Sequence, residues 1–88
     1  MKIVLLVRAY CHVCEKMLAD LQPIVEAHGA DLEVIDVDSP GNTALEAEWG
    51  DRVPAVFAGE PGTGALLCHY HLDQARVLSA LRGAPAPG

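Results

Sequence analysis

The chain has 88 residues, 51% of them hydrophobic, which supplies one core, is too short for two domains and bears no mark of intrinsic disorder. Net charge is −6, with six Lys and Arg scattered among twelve Asp and Glu, so phosphate backbones and anionic membranes are repelled and neither nucleic acid nor membrane is an expected partner. The apolar run Ile3–Val7 is shorter than a signal-peptide core or a membrane span, and the three cysteines suggest reactive or metal-binding thiols in the cytoplasm rather than a stapling framework.

Taken in order, residues 2–7 form a continuous apolar run rich in β-branched residues, the pattern of a central strand covered on both faces. From Val13 the positions Met17, Leu18, Leu21, Ile24 and Val25 recur at helical spacing, with His28-Gly29 as the stop. Pro23 removes an amide inside this helix and predicts a kink there, or an earlier end. Residues 32–37 read as a second strand, and a strand-helix-strand unit of this length implies parallel, right-handed pairing. Ser39 and Pro40 resemble an N-cap and a first helical residue, opening a short helix that carries Leu45 and Trp49 and ends at Gly50. Residues 53–58 and 65–68 read as two strands of a hairpin around the Glu60–Gly64 turn. Asp73 caps a last helix with Val77, Leu78 and Leu81, Leu72 and Val77 are spaced as a hydrophobic staple, and Gly83 is the stop. The order is β-α-β-α-β-β-α over a domain of residues 1–83, followed by a short frayed tail, residues 84–88.

The chemistry-bearing motif is Cys11-His12-Val13-Cys14, at the carboxyl end of the first strand and the start of the first helix. Unpaired amides and the positive helix end favour a thiolate at Cys11, and His12 adds positive charge whenever it is protonated. Cys14 follows one helical turn later, within the usual Cα range for a disulfide, about 4.4–6.8 Å, and reads as the resolving thiol. The competing reading is half of a zinc or iron–sulfur site, with Cys68 and His69 or His71 as the missing ligands. A Cys-X-X-Cys beside a strand-helix-strand unit favours the redox reading. Pro54, at the entrance of an interior strand, would on its own be read as an ordinary trans turn proline; beside the Cys-X-X-Cys motif it is expected to follow a cis bond, with Val53 turned outward and its polar backbone groups free.

Four segments carry a resemblance: Cys11-His12-Val13-Cys14-Glu15, Glu33-Val34-Ile35-Asp36-Val37-Asp38, Arg52-Val53-Pro54-Ala55-Val56 and Leu67-Cys68-His69-Tyr70. Over residues 2–82 the chain resembles the thioredoxin superfamily, and within it the small bacterial glutaredoxin-like proteins. The resemblance implies an α/β, thioredoxin-like (glutaredoxin-like) fold with a four-stranded mixed sheet of order 4-3-1-2, strand three antiparallel and helices on both faces. It also implies a thiol-disulfide oxidoreductase in which Cys11 is the nucleophile and Pro54 lies cis beside the thiols. The backbone next to the proline would pair with an extended substrate, a protein or glutathione mixed disulfide handled by a monomer. No cofactor is implied beyond glutathione as a reductant.

The chain departs from that pattern at three places. Val13 stands where glutaredoxins commonly have an aromatic residue and thioredoxins a proline, the first strand lacks the buried acid of thioredoxins, and Cys68-His69 occupies the place of the paired glycines that hold glutathione. Among lesser candidates, Tyr10 reads as a wall of the site, against the alternative of packing on the first helix. Arg8 reads as a solvated strand end, against a substrate-carboxylate ligand. Trp49 anchors the short helix, Asp36 and Asp38 cap and solvate, Cys68 is a small buried hydrophobe, and His69 and His71 lie exposed on one face of an extended segment.

Overall fold

The computed structural model describes residues 1–83; the expected tail, residues 84–88, lies outside the described residues. The elements are β1 (Lys2–Val7), α1 (His12–Ala27), β2 (Asp31–Asp36), α2 (Thr43–Trp49), a 3₁₀ turn (Gly50–Arg52), β3 (Ala55–Ala58), β4 (Ala65–His69) and α3 (Gln74–Leu81). Among them no helix is long and apolar enough to cross a membrane.

Ile3, Val4, Leu5 and Leu6 are all fully buried, which a strand achieves only at the centre of a sheet covered on both faces. β1 is that centre. The sheet order is β2-β1-β3-β4, with β1 parallel to β2 and β3 antiparallel to both its neighbours, the expected 4-3-1-2 mixed sheet read from the other edge. Alternate residues of β1 feed two cores. Ile3 and Leu5 meet Met17, Leu21 and Val25 of α1, Val56, Leu67 and Val77 of α3. Val4 and Leu6 meet Val37, Trp49 of α2, Val53, Ala55, Phe57 and Cys14. Each aliphatic side chain so buried contributes about 1.5–3 kcal/mol. Trp49 does anchor its helix, standing edge-on to Phe57 at 4.9 Å, with the Arg52 guanidinium 4.0 Å above the ring.

α1 runs through Pro23 to Ala27 and stops at His28-Gly29 as expected, held by its buried stripe rather than by any single amide. Other boundaries differ from the sequence reading. α2 begins at Thr43, not at Pro40: Gly41 sits at φ +91°, which no helix accommodates, and Asn42 caps the helix while its side-chain amide donates to the Asp36 carbonyl. β3 begins at Ala55, leaving Val53 and Pro54 as its approach. At the far end of the hairpin Gly64 packs so tightly on the strand that a Cβ there would run into the Ala58 carbonyl oxygen. The last helix starts as expected, with the Asp73 carboxylate accepting from the Arg76 amide, and Gly83 at φ +72° terminates it.

Candidate functional site

The site grows from the end of β1. After Val7 the chain turns through Arg8, Ala9 and Tyr10, and Cys11 becomes the N-cap of α1: its Sγ accepts the Cys14 amide at 3.1 Å and its carbonyl accepts the Glu15 amide at 3.1 Å. A sulfur that takes the place of a capping oxygen sits where the helix presents unpaired N–H groups and its positive end, the environment that stabilises a thiolate. Cys11 and Cys14 stand as a disulfide with Cα atoms 5.2 Å apart. Their environments differ. Cys11 is partly exposed, whereas Cys14 is only 3% exposed and belongs to the core shared with Val4, Leu6, Trp49, Val53 and Phe57. The first cysteine is open to solvent and the second is not.

Leu6 pairs with Ala55 across β1 and β3, so Val53 and Pro54 stand beside the carboxyl end of β1 from which the Cys11 loop departs. The Val53–Pro54 bond is cis. The Val53 side chain is not turned outward as expected; it is buried in the core that holds Cys14, because the segment arrives from the 3₁₀ turn on that face of the sheet. Its backbone retains the expected freedom at the carbonyl, which receives no backbone hydrogen bond among the described residues.

Tyr10 is fully exposed and left-handed at φ +59°, so the alternative of packing on α1 does not hold. It borders a small cavity of about 170 Å³ shared by both cysteines, Arg8, Glu15 and Val34. His12 is also exposed, its Nδ1 3.5 Å from the Glu15 carboxylate. Arg8 is neither a free strand end nor open to a substrate carboxylate. Its guanidinium grips Asp38 with bonds of 3.1 and 2.8 Å, donates to the Gly50 carbonyl at 2.8 Å and lies 3.5 Å from Glu46, tying the end of β1 to α2. The Arg8 guanidinium holds the Asp38 carboxyl below its ordinary range. Asp36 keeps a local role, accepting the Asp38 amide at 2.8 Å.

The metal reading required Cys68, His69 or His71 to join the cysteine pair. Among the described residues no three His, Cys, Asp or Glu side chains converge as a ligand set. Cys68 is half-buried against the α1–α3 core, and burial pushes its thiol up, as a small hydrophobe at a strand end requires. His69 and His71 are exposed, as expected, but the segment is not extended. Tyr70 lies at φ +64° and the His71 amide bonds the His69 carbonyl at 2.7 Å, a tight turn that breaks the alternation.

Tyr70 is the residue that sequence reasoning missed. Its amide donates to the Pro54 carbonyl at 2.9 Å, its hydroxyl donates to the Asp51 carbonyl, and it lines a cleft of about 590 Å³ with His12, Val13, Lys16, Met17, Asp20, His71 and Leu72. In the sequence Tyr70 stands only at the end of the segment Leu67-Cys68-His69-Tyr70 that carries the resemblance, with no role of its own.

A Cys-X-X-Cys pair capping a helix after the central strand, opposite a cis proline in a 4-3-1-2 sheet, defines a thioredoxin-like protein. The comparisons narrow this: residues 2–82 match the Glutaredoxin-like domain (DUF836), and the chain belongs to that family. The protein Ne2328 of Nitrosomonas europaea, solved by NMR, is 39% identical, with 93% of this chain and 86% of that one covered and a TM-score of 0.66. Thioredoxin 1 of Thermosipho africanus is 26% identical over 94% of this chain and 92% of its own, with a TM-score of 0.64. The uncharacterized protein Rv0508 of Mycobacterium tuberculosis is 43% identical over 56 residues, 60% of this chain and 58% of the mycobacterial one, so the match spans little more than half of that relative.

Proposed function

We propose that this protein is a dithiol oxidoreductase that reduces disulfides of proteins and mixed disulfides with glutathione in the cytoplasm. The observation that carries the reading is the unequal cysteine pair: Cys11, accessible at the N-terminus of α1, joined to Cys14, buried beneath it. In the reduced protein the Cys11 thiolate attacks one sulfur of the substrate disulfide, forming a mixed disulfide and releasing the other sulfur as a thiolate. Cys14, one turn along the helix, loses its proton and attacks the Cys11 sulfur; the second substrate thiolate leaves, and Cys11 and Cys14 remain as a disulfide. Two electrons have passed from the protein to the substrate. An external thiol, glutathione or a protein dithiol, returns them.

The unpaired Val53 carbonyl supports substrate binding from the opposite wall. An extended chain laid beside it donates a backbone amide, which orients the substrate sulfur toward Cys11 without reading side chains. Tyr10 and His12, both exposed at the rim, are positioned to contact the same chain.

Disulfide exchange measured on Cys11→Ser and Cys14→Ser variants tests the reading. Cys11→Ser is expected to lose turnover, and Cys14→Ser to keep only monothiol exchange that needs an added thiol for release. Full activity in Cys11→Ser would refute it.

A further inference from the structure

Residues other than glycine rarely adopt a positive φ, and where they do the surrounding structure imposes it. In the described residues this happens at Tyr10 and Tyr70, the chain's two tyrosines, and both border the disulfide-bearing end of α1. The case of Tyr70 is the more demanding. Its φ of +64° belongs to a turn closed by the His71 amide on the His69 carbonyl, a geometry that glycine adopts without cost. The backbone therefore does not call for tyrosine; the side chain must account for it.

Three contacts define what that side chain does. The hydroxyl donates to the Asp51 carbonyl, in the 3₁₀ turn immediately before Val53. The ring stands edge-on to His69 at 4.6 Å, which fixes its plane. The remaining ring surface, with Tyr70 still 41% exposed, lines the cleft whose floor is Met17 and Leu72 and whose rim is His12 and Val13, the two residues between the cysteines. One side chain thus joins the segment bearing the free Val53 carbonyl to an apolar cleft beside the nucleophile. The cleft is also balanced in fixed charge: its sole Lys or Arg, Lys16, is matched by Asp20 at 2.8 Å, so it offers a small anionic disulfide such as that of glutathione no net positive charge.

We propose that Tyr70 is the residue that positions substrate at this site and sets its class: an extended peptide disulfide with an apolar residue beside its cysteine. The peptide backbone pairs with the Val53 carbonyl, held in place through the Tyr70 hydroxyl, and the apolar neighbour enters the cleft against the Tyr70 ring. This inference rests on the dithiol reading above and concerns which disulfide that chemistry receives.

The test compares three disulfides, a short peptide with a leucine beside each cysteine, glutathione disulfide and bis(2-hydroxyethyl) disulfide, on the full chain and on Tyr70→Gly and Tyr70→Phe. Glycine relieves the positive φ while the hydroxyl and ring contacts are lost, two effects of about 1 kcal/mol each and opposite sign, so Tyr70→Gly is expected to fold and to melt close to the parent. Its KM for the peptide is expected to rise about tenfold with kcat unchanged, the scale of losing one aromatic anchor, while bis(2-hydroxyethyl) disulfide is reduced at the parental rate. Tyr70→Phe keeps the ring and loses the clamp, and a rise of about threefold is expected. Unchanged peptide KM in both variants, parallel losses on all three disulfides, or a loss confined to glutathione disulfide would each overturn the proposal. A parent protein that reduces none of the three would instead refute the dithiol reading itself.

Discussion

The two faces of the sheet use the same kind of residue for different ends. On one face Ile3, Leu5, Met17, Leu21, Val25, Val56, Leu67 and Val77 make an aliphatic core between β1, α1 and α3. On the other, Val4, Leu6, Val37, Trp49 and Phe57 pack around Cys14 and Val53, so that core ends in the residues of the site. The Cys14 sulfur and the segment that carries the free carbonyl are thus embedded in packing, which interiors hold to near-crystalline density and do not let drift. The difference teaches that the second face carries the cysteine pair and the Val53 segment, whereas the first reaches the site only through Met17 and Leu72 at the floor of the cleft.

Substitutions that cavitate each face sharpen this contrast. Phe57→Ala removes the ring against which Trp49 stands and is expected to cost about 3–5 kcal/mol, while also raising KM for a peptide disulfide as the Val53 segment loosens. Leu21→Ala, on the other face, is expected to cost about 2–5 kcal/mol and to leave the KM and kcat of the remaining folded protein unchanged. Denaturant unfolding beside steady-state kinetics checks both; equal KM changes in the two variants would erase the distinction.

How much of this was legible in the sequence follows the range of the forces involved. β1, α1 and the cysteine pair are local patterns: a five-residue apolar run, a helical stripe and a fixed spacing. Pro54 was legible only together with the Cys-X-X-Cys motif, since a proline at a strand entrance alone fits an ordinary trans turn as well. Ser39-Pro40 imitated a helix start, and the true start depends on Gly41 and on the bond from Asn42 to Asp36, which adjacent residues do not announce. Arg8 could not be read at all, since its partners Asp38, Glu46 and Gly50 arrive from 30 or more residues away. Val53 and Tyr70 failed for the same reason. Whether a side chain points into a core, or a hydroxyl reaches a loop 19 residues distant, is settled only when the sheet has assembled.

Smaller effects are expected away from both cores. Asp73→Ala removes the cap of α3 and is expected to cost about 1 kcal/mol, lowering the melting temperature by about 4–8 °C without altering exchange rates. The smallest effect belongs to Asp38. Its folded carboxyl is held below the unfolded value of 3.8 by Arg8, so the pair stabilises fully above that pH and the contribution fades as pH falls toward the lower folded value. An acid titration of thermal stability is expected to lose part of its low-pH decline in Asp38→Asn, with the neutral-pH exchange rate unaltered.

The central claim, that Cys11 receives the substrate and Cys14 releases it, is tested most directly by trapping. Reduced Cys14→Ser protein, mixed with an excess of peptide disulfide and digested for mass spectrometry, is expected to carry one peptide on Cys11 and none on Cys68, whose thiol is half-buried and pushed up. The parent protein under the same conditions is expected to carry no peptide and to hold Cys11 and Cys14 as a disulfide. Peptide found on Cys68, or a stable adduct persisting on Cys11 of the parent, would contradict the account.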